Sequence, residues 1–299
     1  MKRHLIPLTV LLGACPIGND KFTKPGDLSP EWLVDRARIL AIRANPPEVL
    51  PTEAATFEAL IVGTDPVDPP VTVWIACPPE DDGGIGFGCG LDAEADFSNL
   101  DPTSLDELGV IGFEPGFAPR YGAPADLLDG VEDPLEGVYV LVQAAVLPSS
   151  VLSADDDAEF DFNEVEVAYK RLRVSSSASP NANPELDGYQ LDGITLPPQR
   201  GPVLLDGGEI YRLGAIYGTG AVEVYSYINP QGETEDRVEE PYLRWYTDGG
   251  ELLQDATLYP NAEVDWIAPE ASGASGTWWT VIRDRRGGIS WIEQTWQVR

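Results

Sequence analysis

The sequence predicts an all-β fold in which two antiparallel β-sandwiches follow one another along the chain. Short stretches of alternating apolar and polar residues recur through most of the 299 residues, turn residues separate them, and helical periodicity is almost absent. The length is generous for one sandwich and suits two. The composition is 43% hydrophobic and includes eight tryptophans, so the chain can form substantial cores and is not disordered throughout.

The chain opens with what is predicted to be a signal peptide over residues 1–14. A basic start (residues 2–4) leads into an apolar run (residues 5–12) and then into two small residues before Cys15. The apolar run is far shorter than the roughly 20 residues that a transmembrane helix needs. The small pair also suits an ordinary signal peptidase, which leaves a secreted or periplasmic product as the alternative.

The stretch Leu12-Gly13-Ala14-Cys15 resembles the lipobox of bacterial lipoproteins at all four positions. The resemblance implies that Cys15 becomes the first residue and carries a diacylglyceryl group on its sulfur and an acyl chain on its amine. At about 0.8 kcal/mol per buried methylene, several chains make such an anchor effectively permanent. Pro16 follows, not the Asp associated in some bacteria with inner-membrane retention, so we expect an outer-membrane anchor on the periplasmic or cell-surface side.

Residues 15–35 are polar and rich in Pro and Gly, and they are predicted to form a flexible tether. The first sandwich is expected over residues 36–176. Its strands are predicted at residues 38–43, 55–62, 71–77, 138–147 and 165–174. A Gly-, Asp- and Pro-rich insertion at 78–136 interrupts it, and short helices are expected there at 103–108 and 125–128.

Residues 177–184 form the clearest linker of the chain, and the second sandwich is expected over 185–299. A strand around 211–217 alternates between two faces. The turn signals here are Asp206-Gly207-Gly208, Asp248-Gly249-Gly250 and the five residues 284–288, and they separate further strands at 242–246, 277–283 and 289–298.

The second unit also carries a recognisable pattern of tryptophans and glycines. The pattern runs through Trp245, Gly249-Gly250, Trp266-Ile267-Ala268-Pro269, Gly276-Thr277-Trp278 and Arg283-Asp284-Arg285-Arg286-Gly287-Gly288. It resembles the later half of bacterial Ig-like and PKD-like domains, and residues 38–77 are similar to Ig-like units of bacterial surface lipoproteins. The resemblance implies two tandem Ig-like sandwiches with a core tryptophan. Strand alternation does not decide whether Trp278 or Trp279 faces that core.

Cys77 and Cys89 are the only cysteines besides Cys15. In an exported protein, two cysteines at this spacing are expected to form a disulfide, which would contribute about 3 kcal/mol in the entropic description. A metal pair or a reactive thiol is the alternative, but a zinc site would lack partners because no histidine is near.

The chain is strongly acidic, with 50 Asp and Glu against 19 Lys and Arg and a net charge of −31. Such a charge disfavours nucleic acid, since affinity for phosphate depends on Lys and Arg. Against this background Arg283, Arg285 and Arg286 crowd one turn. They are a candidate site for an acidic protein partner or a carboxylated glycan, and pairing with the protein's own carboxylates is the alternative.

The densest acidic run, Asp155–Asp161, does not fit an EF-hand, because Phe160 stands where the loop requires Gly. A calcium site involving Asn181, Asn183, Asp187 and Asp192 is a minor alternative to a solvated loop. No other cofactor or metal is expected.

No catalytic residue is predicted. The one histidine, His4, lies in the leader, so a Ser-His-Asp or Cys-His arrangement has no base after processing. Nucleotide-binding and nucleophile-elbow motifs are absent as well. The sequence therefore predicts a membrane-anchored, non-catalytic cell-envelope lipoprotein that acts as a surface recognition or adhesion module for a protein or glycan partner. The alternative is a structural subunit or spacer in an outer-membrane or periplasmic assembly.

Overall fold

The computed structural model describes residues 29–77, 109–149, 165–197, 201–228 and 231–299. These residues form twenty β-strands in five sheets and no α-helix. The predicted all-β class is therefore confirmed. Within the same ranges no helix is long and apolar enough to cross a membrane.

The first unit is a sandwich of eight strands. A three-stranded sheet has the order β1-β3-β6 and a five-stranded sheet the order β2-β8-β7-β4-β5. The strands are β1 (Arg38–Asn45), β2 (Glu48–Val49), β3 (Ala54–Val62), β4 (Pro70–Cys77), β5 (Val110–Glu114), β6 (Arg120–Gly122), β7 (Val138–Pro148) and β8 (Glu166–Val174).

The second unit contains two five-stranded sheets, β10-β9-β12-β18-β16 and β11-β20-β19-β15-β17, and a separate hairpin of β13 and β14. Its strands are β9 (Leu186–Leu191), β10 (Ile194–Thr195), β11 (Val203–Leu205), β12 (Ile210–Tyr217), β13 (Val224–Ile228), β14 (Thr234–Val238), β15 (Tyr242–Thr247), β16 (Glu251–Leu252), β17 (Ala256–Leu258), β18 (Glu263–Ile267), β19 (Ser275–Arg283) and β20 (Ile289–Val298).

The two units share an arrangement of eight strands, to which the second unit adds β10, β16 and the hairpin of β13 and β14. In each, the first strand pairs antiparallel in one sheet, and a short strand then crosses to the other sheet and runs parallel to the last strand, as β2 does with β8 and β11 with β20. The remaining pairs within both sandwiches are antiparallel. In the immunoglobulin fold the early strands A, B and E share one sheet while C, F and G form the other, and both units follow this arrangement. The prediction of tandem Ig-like sandwiches is confirmed.

Each unit has its own hydrophobic core around a fully buried tryptophan on the strand equivalent to C. In the first unit this is Trp74, whose ring centroid lies 6.1 Å from that of Phe57. In the second it is Trp245, which shares a core with three more tryptophans. Their ring centroids are 5.0 to 6.4 Å apart, and the three residues are Trp266, Trp278 and Trp296.

The described end of the predicted insertion contributes to the sandwich itself. Strand β5 pairs with β4 and strand β6 with β3, so both sheets gain a strand from residues 109–136. Residues 125–128 form consecutive turns, not the expected helix, and the bonds are of the i→i−3 kind, such as Leu127 N–H to Pro124 O at 3.4 Å. Four residues are too few to offset helix nucleation. The other expected helix, at 103–108, lies outside the described residues.

Candidate functional site at the joint between the two units

The first unit packs side-on against the outer face of a sheet of the second. Strands β1 and β3 contribute Leu40 and Val62, and the sheet of β15, β19 and β20 contributes Tyr246 and Val281. The full interdomain cluster consists of Val34, Leu40, Ala41, Leu60, Val62, Tyr246, Trp279 and Val281, with Ile289 and Trp291 beside it. All eight of its members are buried, so the contact resembles a small core more than a flexible linker.

The structure resolves the orientation of the adjacent tryptophans on β19. Trp278 faces the core of the second unit, whereas Trp279 faces the first unit and is 7% exposed. Successive side chains of a strand point to opposite sides. Both rings are therefore buried, in two different clusters.

The arginine-rich turn between β19 and β20 is folded around the carboxylate of Asp284, which is 2% exposed. One of its oxygens accepts hydrogen bonds from the backbone N–H groups of Arg286, Gly287 and Gly288 at 2.7 to 2.9 Å. The other accepts from the side-chain amide of Asn181, in the linker, at 2.7 Å. The carboxylate thus fixes the shape of the turn and attaches it to the linker.

Two of the three arginines of the predicted binding site are engaged within the chain. The guanidinium of Arg283 donates to the carbonyl of Leu40 in the first unit at 2.9 Å. That of Arg286 lies 2.8 Å from Glu239 and 4.2 Å above the ring of Tyr225. Arg285 is about half exposed, and its nearest carboxylate is 4.0 Å away. Of the three, Arg285 is the one that faces solvent.

Lys170 reaches the same turn from β8 of the first unit. Its side chain is 4% exposed, and its ammonium group donates to the carbonyl of Gly287. Removal from water disfavours the charged form and lowers the pKa of Lys170 to about 8; the carboxylate of Asp284 opposes this shift, and the positive charge of Arg283 adds to it.

The linker residues are bonded to both units. Glu48, at 1% exposure on β2, accepts from the backbone N–H of Asn181 at 2.8 Å and from the hydroxyl of Ser175. The side-chain amide of Asn183 donates to the carbonyl of Ala44 in the first unit at 2.8 Å, and its oxygen accepts from Ile289 N–H in the second at 2.9 Å. The predicted linker is therefore part of the joint.

The ionic groups of the joint balance one another in a chain of net charge −31. Four acidic side chains lie close to four basic ones, and these groups are Glu48, Glu223, Glu239, Asp284, Lys170, Arg173, Arg283 and Arg286. Burial raises the pKa of Glu239, and its bond to Arg286 opposes the rise. Buried charges are tolerated when they are paired and hydrogen-bonded, and here they are. The joint offers little unsatisfied charge to an outside ligand.

An open cleft lies beside the joint, between β3 of the first unit and β9 and β20 of the second, with a volume of about 610 Å³. Its walls carry the carboxylates of Glu58, Asp187 and Glu293 together with the ring of Trp291. The guanidinium of Arg43 covers that ring at 4.6 Å and pairs with Glu58. The balance of charge in the cleft is acidic.

The remaining predicted site residues lie mostly elsewhere. Cys15, Cys89 and the run Asp155–Asp161 fall outside the described residues. Cys77 ends β4 and is fully buried, and its pairing with Cys89 stays a prediction. In the described ranges no three His, Cys, Asp or Glu residues are placed to hold a metal ion.

Asn181 and Asn183, considered for calcium, bind protein groups in the joint. Asp192 accepts from Arg212 N–H at 2.9 Å in the second unit. Sequence reasoning missed Lys170 because a single lysine on a strand carries no signal of burial. An Asp opening a Gly-rich five-residue turn was a signal for the role of Asp284, since Asp side chains commonly accept from turn N–H groups.

No protein-family model and no curated protein matches the chain. Solved structures that resemble it include the fibronectin(III)-like modules of Clostridium thermocellum CbhA, with 9% identity over 87% of this chain and 94% of that one and a TM-score of 0.26. The N-terminal Ig1-2 module of the Drosophila receptor protein tyrosine phosphatase DLAR has 13% identity over 88% and 99% and a TM-score of 0.26. Murine CEACAM1b has 11% identity over 87% and 99% and a TM-score of 0.23.

Proposed function

We propose that the protein is a lipid-anchored, non-catalytic module of the bacterial cell envelope that recognises or adheres to a partner at the cell surface. The observation that carries this proposal is the joint, where buried apolar and charge-balanced contacts hold two Ig-like sandwiches against each other. Such packing displays the loops and sheet faces of both units in a fixed arrangement, and preorganisation lowers the entropy lost on binding. The Leu12–Cys15 motif supports the anchor.

The partner that fits best is a protein or glycan carrying positive charge. The cleft beside the joint carries the carboxylates of Glu58, Asp187 and Glu293, of which Glu58 is paired with Arg43, and the whole chain is strongly acidic. Complementary charge accelerates encounter and suppresses wrong partners. Arg285 remains the exposed arginine of the turn first considered for acidic partners. Its nearest carboxylate, that of Glu240, is 4.0 Å away, and a minor contribution of Arg285 to binding is part of the proposal.

A second candidate function is that of a rigid spacer in an outer-membrane or periplasmic assembly. The side-on packing favours it, because linker residues that are bonded to both sandwiches transmit position between them without a free hinge. Co-purification of the full-length protein from detergent extracts distinguishes the two functions. A fixed stoichiometric envelope partner supports the spacer. Binding to cells or glycans that weakens with Glu293→Lys, but not with the control Glu251→Lys on β16, supports recognition.

The anchor is tested with Cys15→Ser in the native host. We expect the wild-type protein to incorporate labelled palmitate and to fractionate with the outer membrane. The variant should lose the label and leave the membrane fraction. A Cys15→Ser protein that stays membrane-bound, or a wild type that takes up no palmitate, contradicts the lipoprotein proposal.

A further inference from the structure

The segment Ser29–Asp35, called the strap below, lies on the second unit although the chain continues from it into β1 of the first. Its backbone pairs in parallel at Leu33 with Thr247, the last residue of β15. Thr247 N–H donates to the carbonyl of Trp32 at 3.0 Å, and Val34 N–H donates to the carbonyl of Thr247 at 2.9 Å. These bonds extend the β15 sheet by one short element, at residues that the sequence assigns to the predicted tether.

The side chains of the strap contact both units. Trp32 packs against the core cluster of the second unit, and Val34, 5% exposed, belongs to the interdomain cluster. From the first unit, the guanidinium of Arg38 donates to the carbonyls of Glu31 at 2.8 Å and Leu33 at 3.3 Å. The strap is therefore bound to the second unit by its backbone, by Trp32 and by the ion pair of Glu31 with Arg244 at 2.9 Å, and to the first by Arg38 and the chain itself.

We propose that the strap is a clamp that fixes the angle between the two units. The linker at 177–184 is one chain connection between the units, and relative motion of two domains is the default unless the interface between them is large and hydrophobic. The strap is a second chain connection, running from its docking point on β15 directly into β1. Two connections at different places on the interface restrict rotation far more than one does.

The clamp also determines where an anchored N-terminus leaves the body, and this consequence rests on the proposed function. Ser29 is the first residue of the strap, which is docked at residues 32–34, and Cys15 precedes Ser29 by 14 residues. At no more than about 3.4 Å per residue, that stretch reaches roughly 50 Å. A lipid on Cys15 would hold the molecule at its joint, and both sandwiches would stay within reach of the membrane surface.

The test measures the distance between the units in the full-length protein in detergent. Fluorophores are introduced through non-canonical amino acids at Val67 in the first unit and Ile194 in the second, which are 88% and 71% exposed. The wild type is expected to give one narrow distribution of single-molecule energy-transfer efficiency. The Trp32→Ala variant is expected to give a broad distribution. Leu204→Ala, at an exposed site on β11, is the matched control and should keep the narrow distribution.

A second variant keeps the test decisive if the Trp32→Ala protein fails to fold. Val34→Asp places a charge in the interdomain cluster and removes no core side chain of either sandwich, so both sandwiches should fold while the strap detaches. A narrow distribution with an unchanged mean in Val34→Asp overturns the clamp. The anchor is separable from it, because Cys15→Ser should keep the narrow distribution whether or not the native protein carries lipid.

Discussion

At the scale of single residues, neighbouring side chains take roles that their type alone does not reveal. Trp278 and Trp279 have the same chemistry, yet one completes a core and the other forms the contact with the first unit. Alternation along the strand predicts that they point to opposite sides. It cannot tell which side is inward, because both faces of β19 are buried. The missing information is the position of the other unit.

The arginine turn shows the same limit for charge. Three arginines in an acidic chain are equally compatible with an outside acidic partner and with the chain's own carboxylates. The decisive residues are Asp284, which shapes the turn, and Lys170, which arrives from the other unit. Contacts between residues more than a hundred positions apart leave no local pattern in the sequence.

Lys170 gives the joint an unusual pH dependence. Its pKa is about 8 in the folded protein and about 10.4 in an unfolded chain, so between these values the unfolded state holds more protons. The contribution of Lys170 to the free energy of unfolding therefore rises with pH across this window, by up to about 3 kcal/mol at 1.36 kcal/mol per pKa unit. Below pH 8 Lys170 is charged in both states, and the full cost of burying its charge lowers the free energy of unfolding.

The measurement is urea unfolding at pH 7.5 and pH 9.5 of the wild type, Lys170→Met and the control Arg212→Met, whose side chain is mostly exposed. The wild type should gain stability relative to Lys170→Met as the pH rises, and Arg212→Met should behave as the wild type does. Equal pH responses in all three proteins would show that Lys170 keeps its proton throughout.

The predicted disulfide is also decided at the scale of residues. Cys77 ends β4 in a fully buried position, and a bond to Cys89 would hold the start of the following segment at the sheet. Intact mass after alkylation in denaturant without reduction should show no modified thiol at Cys77 or Cys89. Reduction should lower the free energy of unfolding by about 3 kcal/mol. Alkylation of both cysteines before reduction contradicts the pairing.

At the scale of elements, the longest strands were predictable and the shortest were not. The run 138–147 becomes β7, and its alternate side chains Val140, Val142 and Ala144 face the core. The opposite face of the same strand is buried at Gln143 and Ala145, each 2% exposed, which explains why apolar residues occupy both faces over most of the run. By contrast, β5 and β6 are brief and lie among Gly and Pro residues, and pairing with β4 and β3 defines them more than composition does.

Turn geometry gives a matched pair of glycine substitutions. Gly250 and Gly273 both have positive φ, at +73° and +83°. A Cβ at Gly250 would lie 2.6 Å from the ring of Trp266 and close to the carbonyl of Ile267, whereas at Gly273 it would meet nothing within 4 Å. Gly273→Ala should cost about 1 kcal/mol through backbone strain alone. Gly250→Ala should cost about 2–4 kcal/mol, since overpacking adds to the strain.

Thermal unfolding monitored by tryptophan fluorescence compares the two variants. Gly250→Ala should lower the midpoint clearly more than Gly273→Ala, because Trp266 belongs to the four-tryptophan core. Equal midpoints would mean that the β15–β16 turn shifts to accommodate the methyl group.

At the scale of the whole molecule, the sequence predicted two sandwiches and a linker but not how the sandwiches meet. Linker composition indicates a boundary, and a boundary is compatible with any angle between domains. The side-on contact depends on apolar residues at outward positions of β1, β3 and β19, such as Leu40, Val62 and Val281, which look like ordinary strand residues in the sequence. The sequence does not reveal the docking of Trp32 either, because this residue lies in a stretch whose Pro and Gly content predicts a tether.

The buried interface predicts that the two units unfold together. Burial of apolar side chains shared by both units couples their stabilities, so differential scanning calorimetry of the wild type should show one transition with matching calorimetric and van't Hoff enthalpies. Leu40→Asp places an unpaired charge among Tyr246, Trp279 and Val281, and it should separate the transition into two. Leu204→Asp, 57% exposed on β11, should leave a single transition. Two well-separated transitions in the wild type would contradict this prediction. The joint would then fix the relative position of the sandwiches, but it would contribute less to the free energy of unfolding than either core does.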